Sequence, residues 1–160
     1  MLLAAVAAVV GVAGVGCRAG RSEPRDGLAA DTARFAYGDR TAEVALTACA
    51  REDDVVVLAG AEGGVVVQAE VDLGDGGFDR TGVTADLGPD GILGAFGAEM
   101  ARGPAGEITA VRVEGDRVIV EGTWVPFDDR LVARSADEGV EGRLVARCPE
   151  TGDEVAAAPG

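Results

Sequence analysis

Histidine and lysine are both absent from this chain of 160 residues, so all 14 of its basic side chains are arginine. Without histidine the chain lacks the commonest general acid–base residue and the commonest metal ligand. Without lysine it cannot form a Schiff base through a side-chain amine. Since no nucleophile–base set is present, the sequence predicts a protein that is not an enzyme, has no catalytic residues and uses neither a metal ion nor a cofactor.

Aromatic residues are scarce at 4%, and acidic residues outnumber basic ones by 28 to 14, which gives a formal charge of −14. A surface this acidic repels nucleic acid, because affinity for the phosphate backbone comes mainly from lysine and arginine. It also disfavours attraction to anionic lipid by charge alone. The charge predicts partners with basic surfaces, or it only keeps an exposed protein soluble. We expect no nucleic-acid partner and a monomer.

The amino terminus is a short apolar run, with no charge between Leu2 and Gly16. These 15 residues are fewer than the roughly 20 that a membrane-spanning helix needs. Their length suits the hydrophobic region of a secretory signal. Small residues then lead into Cys17, after which the sequence becomes polar. This pattern resembles the lipobox of bacterial lipoproteins, in which the cysteine is acylated and becomes the first residue of the mature chain.

The lipobox resemblance predicts a signal peptide over residues 1–16 and a lipid-bearing Cys17 that begins a flexible tether over 17–32. It implies an exported protein, anchored by lipid to the outer face of the cell membrane or to the cell envelope. Two alternatives stay open at this point. One is a plain secretion signal with an incidental cysteine, and the other is a short anchor that is not cleaved.

If Cys17 takes lipid, two of the three cysteines remain, Cys49 and Cys148. Because exported proteins meet oxidising conditions, this pair is expected to form a disulfide. Closing a loop of about 100 residues contributes about 4–5 kcal/mol in the chain-entropy model. The alternatives are two buried free thiols or a metal pair, and two cysteines without histidine make a poor zinc site.

Residues 33–149 show the period of β-strands, in which alternate side chains share a face. The run 65–73 alternates most cleanly, and residues 55–58 are four apolar residues that indicate a strand buried on both faces. Residues 81–87 and 91–99 are weaker strand candidates around a glycine-rich turn. A hairpin is expected across Gly115-Asp116 and a last strand over 140–148. Cys49 is out of phase with Val44 and Leu46, so it is expected at a strand end or a bulge.

Short strands separated by turn signals predict an all-β domain, either a small antiparallel β-sandwich or a partly closed barrel, closed by the disulfide. The domain is expected to span residues 33–149. Residues 150–160 are expected to form a disordered tail.

The order of features in the chain resembles a known family. A lipobox-like cysteine, a polar tether and glycine-rich strands precede the hairpin segment 116–123 and a last strand, 144–148, that ends in cysteine. This layout is similar to the LpqH-like lipoprotein antigens of mycobacteria and other actinobacteria, the nineteen-kilodalton-antigen group. The resemblance implies an envelope lipoprotein that displays a non-catalytic β domain to a protein receptor or an envelope component.

Acidic clusters and aromatic residues offer further candidates for a site. Asp72, Asp75 and Asp79 lie among glycines, but their spacing matches no EF-hand, so a solvated turn is the preferred interpretation and no metal site is predicted. Carboxylates flank arginines in two further clusters, 128–130 and 134–138.

The only tryptophan, Trp124, is expected in the core. With Phe96, Phe127 and Tyr37 it could instead surround an apolar pocket. This gives the alternative function of an envelope lipoprotein that binds or carries a lipid or a small hydrophobic ligand.

Overall fold

A computed structural model describes residues 27–75, 77–101, 105–128, 130, 132–134 and 138–148. The predicted signal peptide, Cys17 and the predicted tail over 150–160 lie outside the described residues. Two short 3-10 turns, Gly77–Arg80 and Gly88–Asp90, interrupt an otherwise β structure. The nine strands are β1 Thr32–Tyr37, β2 Arg40–Glu52, β3 Val55–Glu62, β4 Val65–Asp72, β5 Gly82–Asp86, β6 Ile92–Phe96, β7 Glu107–Glu114, β8 Arg117–Phe127 and β9 Val140–Arg147.

Eight antiparallel strands close into a barrel in the order β6-β5-β4-β3-β2-β1-β9-β8, and β6 pairs with β8 to complete it. The ninth strand, β7, pairs with β8 alongside the barrel. The predicted all-β class and antiparallel arrangement are confirmed. Of the two architectures that the sequence left open, the structure is a barrel, and it is fully closed.

The barrel closes because two strands share one edge of β8. β6 pairs with Val125–Phe127, and β7 pairs with residues 117–123. At the changeover, Gly106 has a φ of +71°, and a Cβ built on it would collide with the carbonyl oxygens of Thr123 and Gly94. Only glycine tolerates both this conformation and so close a backbone approach. Gly106 therefore allows β7 to replace β6 along β8.

Alternation of side chains explains which residues of each strand face the core. In β4 the side chains of Val67, Ala69 and Val71 are buried, while those between them are exposed, as the sequence predicted. The prediction for residues 55–58 was wrong: Val56 and Leu58 are buried, but Val57 is 46% exposed. A closed antiparallel barrel buries its inner face, whereas the outer face meets solvent unless another segment covers it.

Cys49 reaches the inside of the barrel through a bulge in β2. Leu46 pairs with Gly60 but Ala48 pairs with Ala59, so Thr47 is an extra residue. The extra residue reverses the side-chain phase, which places Cys49 against the core although Val44 and Leu46 precede it by odd numbers of residues, five and three. The predicted bulge is confirmed. Cys49 and Cys148 are joined by a disulfide with a Cα–Cα distance of 5.7 Å.

The interior of the barrel is filled by side chains. Trp124 and Phe35 have no exposed surface and meet edge to face with ring centroids 5.0 Å apart. Tyr37 stacks on Phe35 at 5.3 Å. The interior of an eight-stranded barrel is about wide enough for its own side chains or for one small ligand. Here aromatic and branched side chains take that space.

One segment also covers the outside of the barrel. Leu28 is only 3% exposed and packs with Ile119 of β8 and Val145 of β9. Its carbonyl oxygen accepts a hydrogen bond of 2.8 Å from Arg147. Thus the last residues of the predicted tether already belong to the folded domain.

Candidate functional site

An acidic groove of about 710 Å³ lies at one end of the barrel. At this end β2 turns into β3, β4 runs into the turn Gly77–Arg80, and Glu99 follows β6. Eight of the twelve residues that border the groove carry carboxylates. These carboxylates belong to Glu52, Asp53, Asp54, Glu70, Asp72, Asp75, Asp79 and Glu99.

Hydrogen bonds to the backbone fix the two loops that carry these carboxylates. Asp53 adopts a φ of +51° in the β2–β3 turn, a conformation that aspartate tolerates better than most residues. The carbonyl oxygen of Asp54 accepts a hydrogen bond of 2.6 Å from the amide of Leu73. Oδ1 of Asp72 accepts one of 2.8 Å from the amide of Gly74. The two loops are therefore held together, with their charges on the same side.

Among the described residues that border the acidic groove, Arg80 is the one cation. Its Nε donates to Glu99 Oε2 at 2.8 Å. This hydrogen bond, with the charges of Glu99 and Asp72, raises the pKa of the Arg80 guanidinium above its ordinary value. Neighbouring carboxylates of one sign concentrate a negative potential in a groove, which raises the local concentration of cations and steers basic ligands.

The geometry does not assemble a metal centre. Among the described residues, no group of three or more histidine, cysteine, aspartate or glutamate side chains is placed to hold an ion. Asp72, which the sequence grouped with Asp75 and Asp79, already uses Oδ1 to close its own turn. The described carboxylates of the groove therefore stand as separate charges.

The aromatic residues proposed as a ligand pocket are not brought together. Trp124 points into the barrel, whereas Phe127, three residues later on the same strand, points outward. Phe96 is also outside, where it meets Phe127 edge to face at 5.7 Å. Of the proposed companions of Trp124, Tyr37 alone packs against the same core. Trp124 and Phe127 are three residues apart on one strand, and an odd separation places two side chains on opposite faces. This spacing was the signal that could have separated them.

The second set of acidic residues serves a loop. Oδ1 of Asp128 accepts hydrogen bonds of 2.9 Å from the backbone amides of Arg130 and Val132. Asp129 and Asp137 lie outside the described residues. In the described part of this cluster, the carboxylate of Asp128 thus caps a turn.

Sequence reasoning recognised the acidic turns separately but missed that they form one groove. The turn at 52–54 follows β2, and Asp72 ends β4. Consecutive strands from β1 to β6 pair antiparallel, so β2, β4 and β6 run in the same direction and end on the same side of the barrel. The alternating direction of the strands was therefore the signal that could have placed these turns together. Using it required the number of strands to be known first.

The chain matches no protein-family model and no curated protein. Nor does the part of the chain that the structure describes include a helix with the length and apolarity needed to cross a membrane. The acidic groove therefore has to be interpreted from its own chemistry.

Proposed function

We propose that this protein is a lipid-anchored component of the cell envelope that displays a non-catalytic barrel and meets its partners through the barrel's surface. The observation that carries the proposal is the contrast between a filled interior and an open acidic groove. If the barrel enclosed a cavity large enough for water, the inward side chains beside that cavity would have solvent-accessible surface. Phe35, Trp124 and Leu144 keep none.

This packing favours surface interaction over the carrier function that the sequence also suggested. An apolar cargo would need a dry cavity of about 300 Å³ or more to hide most of its surface. The acidic groove is larger than that, but it is open and lined by carboxylates, which an apolar ligand would have to desolvate. A ligand with basic groups would instead gain from the same charges.

Anchoring rests on Cys17 and on the resemblance to lipoprotein antigens. The disulfide supports an exported location, because such bonds persist in oxidising compartments. It also leaves Cys17 as the one cysteine of the sequence that this bond does not use, since the other two are joined to each other. In the proposed protein, one cysteine therefore carries the lipid and the other two stabilise the fold.

The mass of the intact protein extracted from membranes tests the anchor. We expect a chain that starts at Cys17 and carries acyl groups, and we expect a Cys17→Ser variant to move into the soluble fraction. A mature chain that starts elsewhere, or that lacks acyl mass, would contradict the anchor. A Cys49→Ser/Cys148→Ser variant is the control, because it removes cysteines but should leave the lipid in place.

Retention of envelope components on the immobilised acylated protein tests the role of the groove. We expect binding that weakens steeply as salt rises to about 0.5 M, where charges only a few ångströms apart are screened. Asp72→Asn with Asp79→Asn should weaken it further. Asp39→Asn with Asp86→Asn, which neutralises two carboxylates outside the groove, should not. Binding that resists salt would contradict a charge-driven interaction.

A further inference from the structure

Charge is distributed unevenly around the barrel. In the ring of eight strands, β8 and β9 stand four places from β3 and β4, so the two pairs face each other across the core. Val57 and Glu70, which border the acidic groove, lie on the outer side of β3 and β4. The acidic groove therefore opens on the side of the barrel that is turned away from β8 and β9.

The outer side of β1, β9, β8 and β7 carries half of the described arginines, and we call it the arginine face. Its side chains point outward because they alternate with residues such as Phe35 and Leu144, which are buried in the core. Five of the ten arginines in the described ranges belong to this face, and five carboxylates lie on it or beside it. The arginines are Arg34, Arg112, Arg117, Arg143 and Arg147, and the carboxylates are Glu43, Glu114, Asp116, Glu121 and Glu141.

This balance makes the arginine face neutral in a protein that is otherwise acidic. Of the 21 carboxylates in the described ranges, 16 lie elsewhere, against five arginines. Salt screens charges over about 8 Å at physiological ionic strength. Packed sheets are about 10 Å apart, so an object that touches the arginine face is largely screened from carboxylates on the opposite wall. The local balance, and not the net charge of −14, therefore decides what this face can approach.

Within the arginine face, two arginines share one carboxylate. Arg112 donates to both oxygens of Glu121, from Nη2 to Oε1 at 2.8 Å and from Nη1 to Oε2 at 3.2 Å. Arg143 Nε lies 3.4 Å from the same Oε1 and has no hydrogen-bond partner among the described residues. The Arg143 side chain is 39% exposed. Its planar guanidinium can therefore pair with a further anion, and its shape matches a phosphate.

The chain enters the domain on the same face. Leu28 packs on Ile119 and Val145, which point outward between the arginines of β8 and β9. Gly27 follows Cys17 by ten positions, a stretch that spans at most about 36 Å when fully extended. A lipid on Cys17 would therefore hold the arginine face close to the bilayer.

We propose that the arginine face rests on the anionic surface of the bilayer, with Arg143 binding a lipid phosphate, so that the acidic groove faces away from the membrane. The proposal rests on the proposed function, because it needs the lipid on Cys17, and it adds how the displayed domain is oriented. An anionic bilayer attracts each arginine near its surface by about 1 kcal/mol. The reverse orientation would bring the carboxylates of the groove against the lipid phosphates.

The test measures which side of the domain lies next to the lipid. The acylated full chain is placed in mixed vesicles of phosphatidylcholine and phosphatidylglycerol that carry a nitroxide quencher on some headgroups. A fluorophore is attached to Ala36→Cys, on the outer side of β1, or to Gln68→Cys, on the outer side of β4. We expect at least about fivefold stronger quenching at position 36, the ratio that about 1 kcal/mol gives. Equal quenching, or stronger quenching at position 68, would overturn the proposal.

The composition of the vesicle and of the buffer separates the sources of this preference. In vesicles of phosphatidylcholine alone, the ratio of quenching should fall toward one, and an unchanged ratio would overturn the role of the anionic surface. Replacing chloride by inorganic phosphate at equal ionic strength should leave the ratio unchanged. Loss of the preference in phosphate would overturn the proposal in favour of a soluble anion as the ligand of Arg143.

Variants separate Arg143 from general charge. Arg143→Gln should lower the ratio of quenching by about fivefold, because it removes the arginine that binds the lipid phosphate. Glu121 keeps both hydrogen bonds from Arg112, so this change leaves no carboxylate without a partner. Arg40→Gln is the matched control, because Arg40 pairs with Asp90 away from the arginine face, and it should change the ratio less than twofold. Equal reductions in the two variants would overturn the assignment of Arg143.

Arg34→Gln removes a second arginine from the same face and should also lower the ratio, which keeps the test usable if Arg143→Gln does not fold. A ratio that Arg34→Gln leaves unchanged would overturn the arginine face as the contact. If Cys17 is acylated but the two labels are quenched equally, the display function stands and the proposed orientation fails. If Cys17 carries no lipid, the proposed function and this orientation both fail.

Discussion

Arg147 and Asp116 form an ion pair that joins the last strand to the β7–β8 turn, with Arg147 Nε donating to Asp116 Oδ2 at 2.8 Å. The same guanidinium donates through Nη1 to the carbonyl oxygen of Leu28 at 2.8 Å. The carbonyl oxygen of Asp116 in turn accepts the amide of Cys148 at 2.9 Å. One arginine thus connects the entering chain, a hairpin turn and the residue that carries the disulfide.

This ion pair predicts a pH dependence of stability. The hydrogen bond from Arg147 lowers the pKa of Asp116 below its ordinary value of 3.8. A carboxyl whose pKa is depressed by folding contributes stability above its unfolded pKa, and this stability is lost as the pH falls through the folded pKa. We therefore expect Asp116→Asn to lower the thermal midpoint at pH 7, and the difference from the parent chain to shrink from about pH 5 downward.

Asp39→Asn is the control for this titration, because it makes the same chemical change in the exposed β1–β2 turn. Its thermal midpoint should follow that of the parent chain at every pH. A difference between Asp116→Asn and the parent that stays constant down to about pH 2 would mean that the ion pair does not stabilise the fold through the Asp116 charge.

The disulfide should contribute a large part of the stability, since it joins residues 99 positions apart. Cys49→Ala/Cys148→Ala is expected to lose about 2–5 kcal/mol in urea unfolding followed by fluorescence of the single buried tryptophan, Trp124. Cys17→Ala should leave the midpoint unchanged, because Cys17 takes no part in this bond. If the double variant unfolds at the same urea concentration as the parent, the bond does not stabilise the domain.

Gly142 is expected to be intolerant of any side chain. A Cβ at this position would collide with Nε1 and Cδ1 of Trp124 and with the backbone oxygen of Ala36. Overpacking of this kind costs typically about 1–3 kcal/mol, and here the indole is enclosed on all sides by the core. Gly142→Ala should therefore unfold at lower denaturant and red-shift the emission of Trp124.

The matched control is Gly74→Ala. A Cβ there would meet the end of the Asp72 side chain at 3.1 Å and Asp54 at ordinary contact distances of 3.8 and 3.9 Å, so we expect a change within about 0.5 kcal/mol. Equal losses at both glycines would mean that the contact with Trp124 does not decide the outcome.

Leu28 should behave as a core residue although it precedes the first strand. Truncation of a buried leucine to alanine costs about 2–5 kcal/mol, and Leu28 is 3% exposed against Ile119 and Val145. We expect Leu28→Ala to fall toward the lower end of that range, because it packs on the outside of the barrel. Val132→Ala, at a residue 59% exposed, should be neutral. A neutral Leu28→Ala would mean that this segment does not dock in solution.

The local pattern of the sequence was sufficient to predict most of the strands. The alternation in β4 and the turn at Gly115-Asp116 each depend on a few neighbouring residues. The phase of Cys49 indicated a strand end or a bulge, and the structure has a bulge at Thr47. These features are decided by short-range geometry, which a single sequence records directly.

Closure of the barrel could not be predicted in the same way. It depends on Gly106 approaching Thr123 and Gly94, residues that come together only after three strands have formed. The exposure of Val57 follows from alternation, since successive side chains of a strand point to opposite faces and four apolar residues in a row do not indicate which face is buried. The acidic groove depends on strand pairing, because β3 and β4 pair with Val55 opposite Asp72, which brings the turn at 52–54 beside the end of β4.

The Leu28–Arg147 contact also determines how the domain would carry a mechanical load. Tension along a tether enters at Leu28 and passes to β1, whose six residues pair with β2 on one side and with β9 on the other. A pull along that strand loads both ladders in shear, so many hydrogen bonds resist together before any one of them breaks. A tether joined to residue 27 would thus attach the domain at a strand that is hydrogen-bonded along both of its edges.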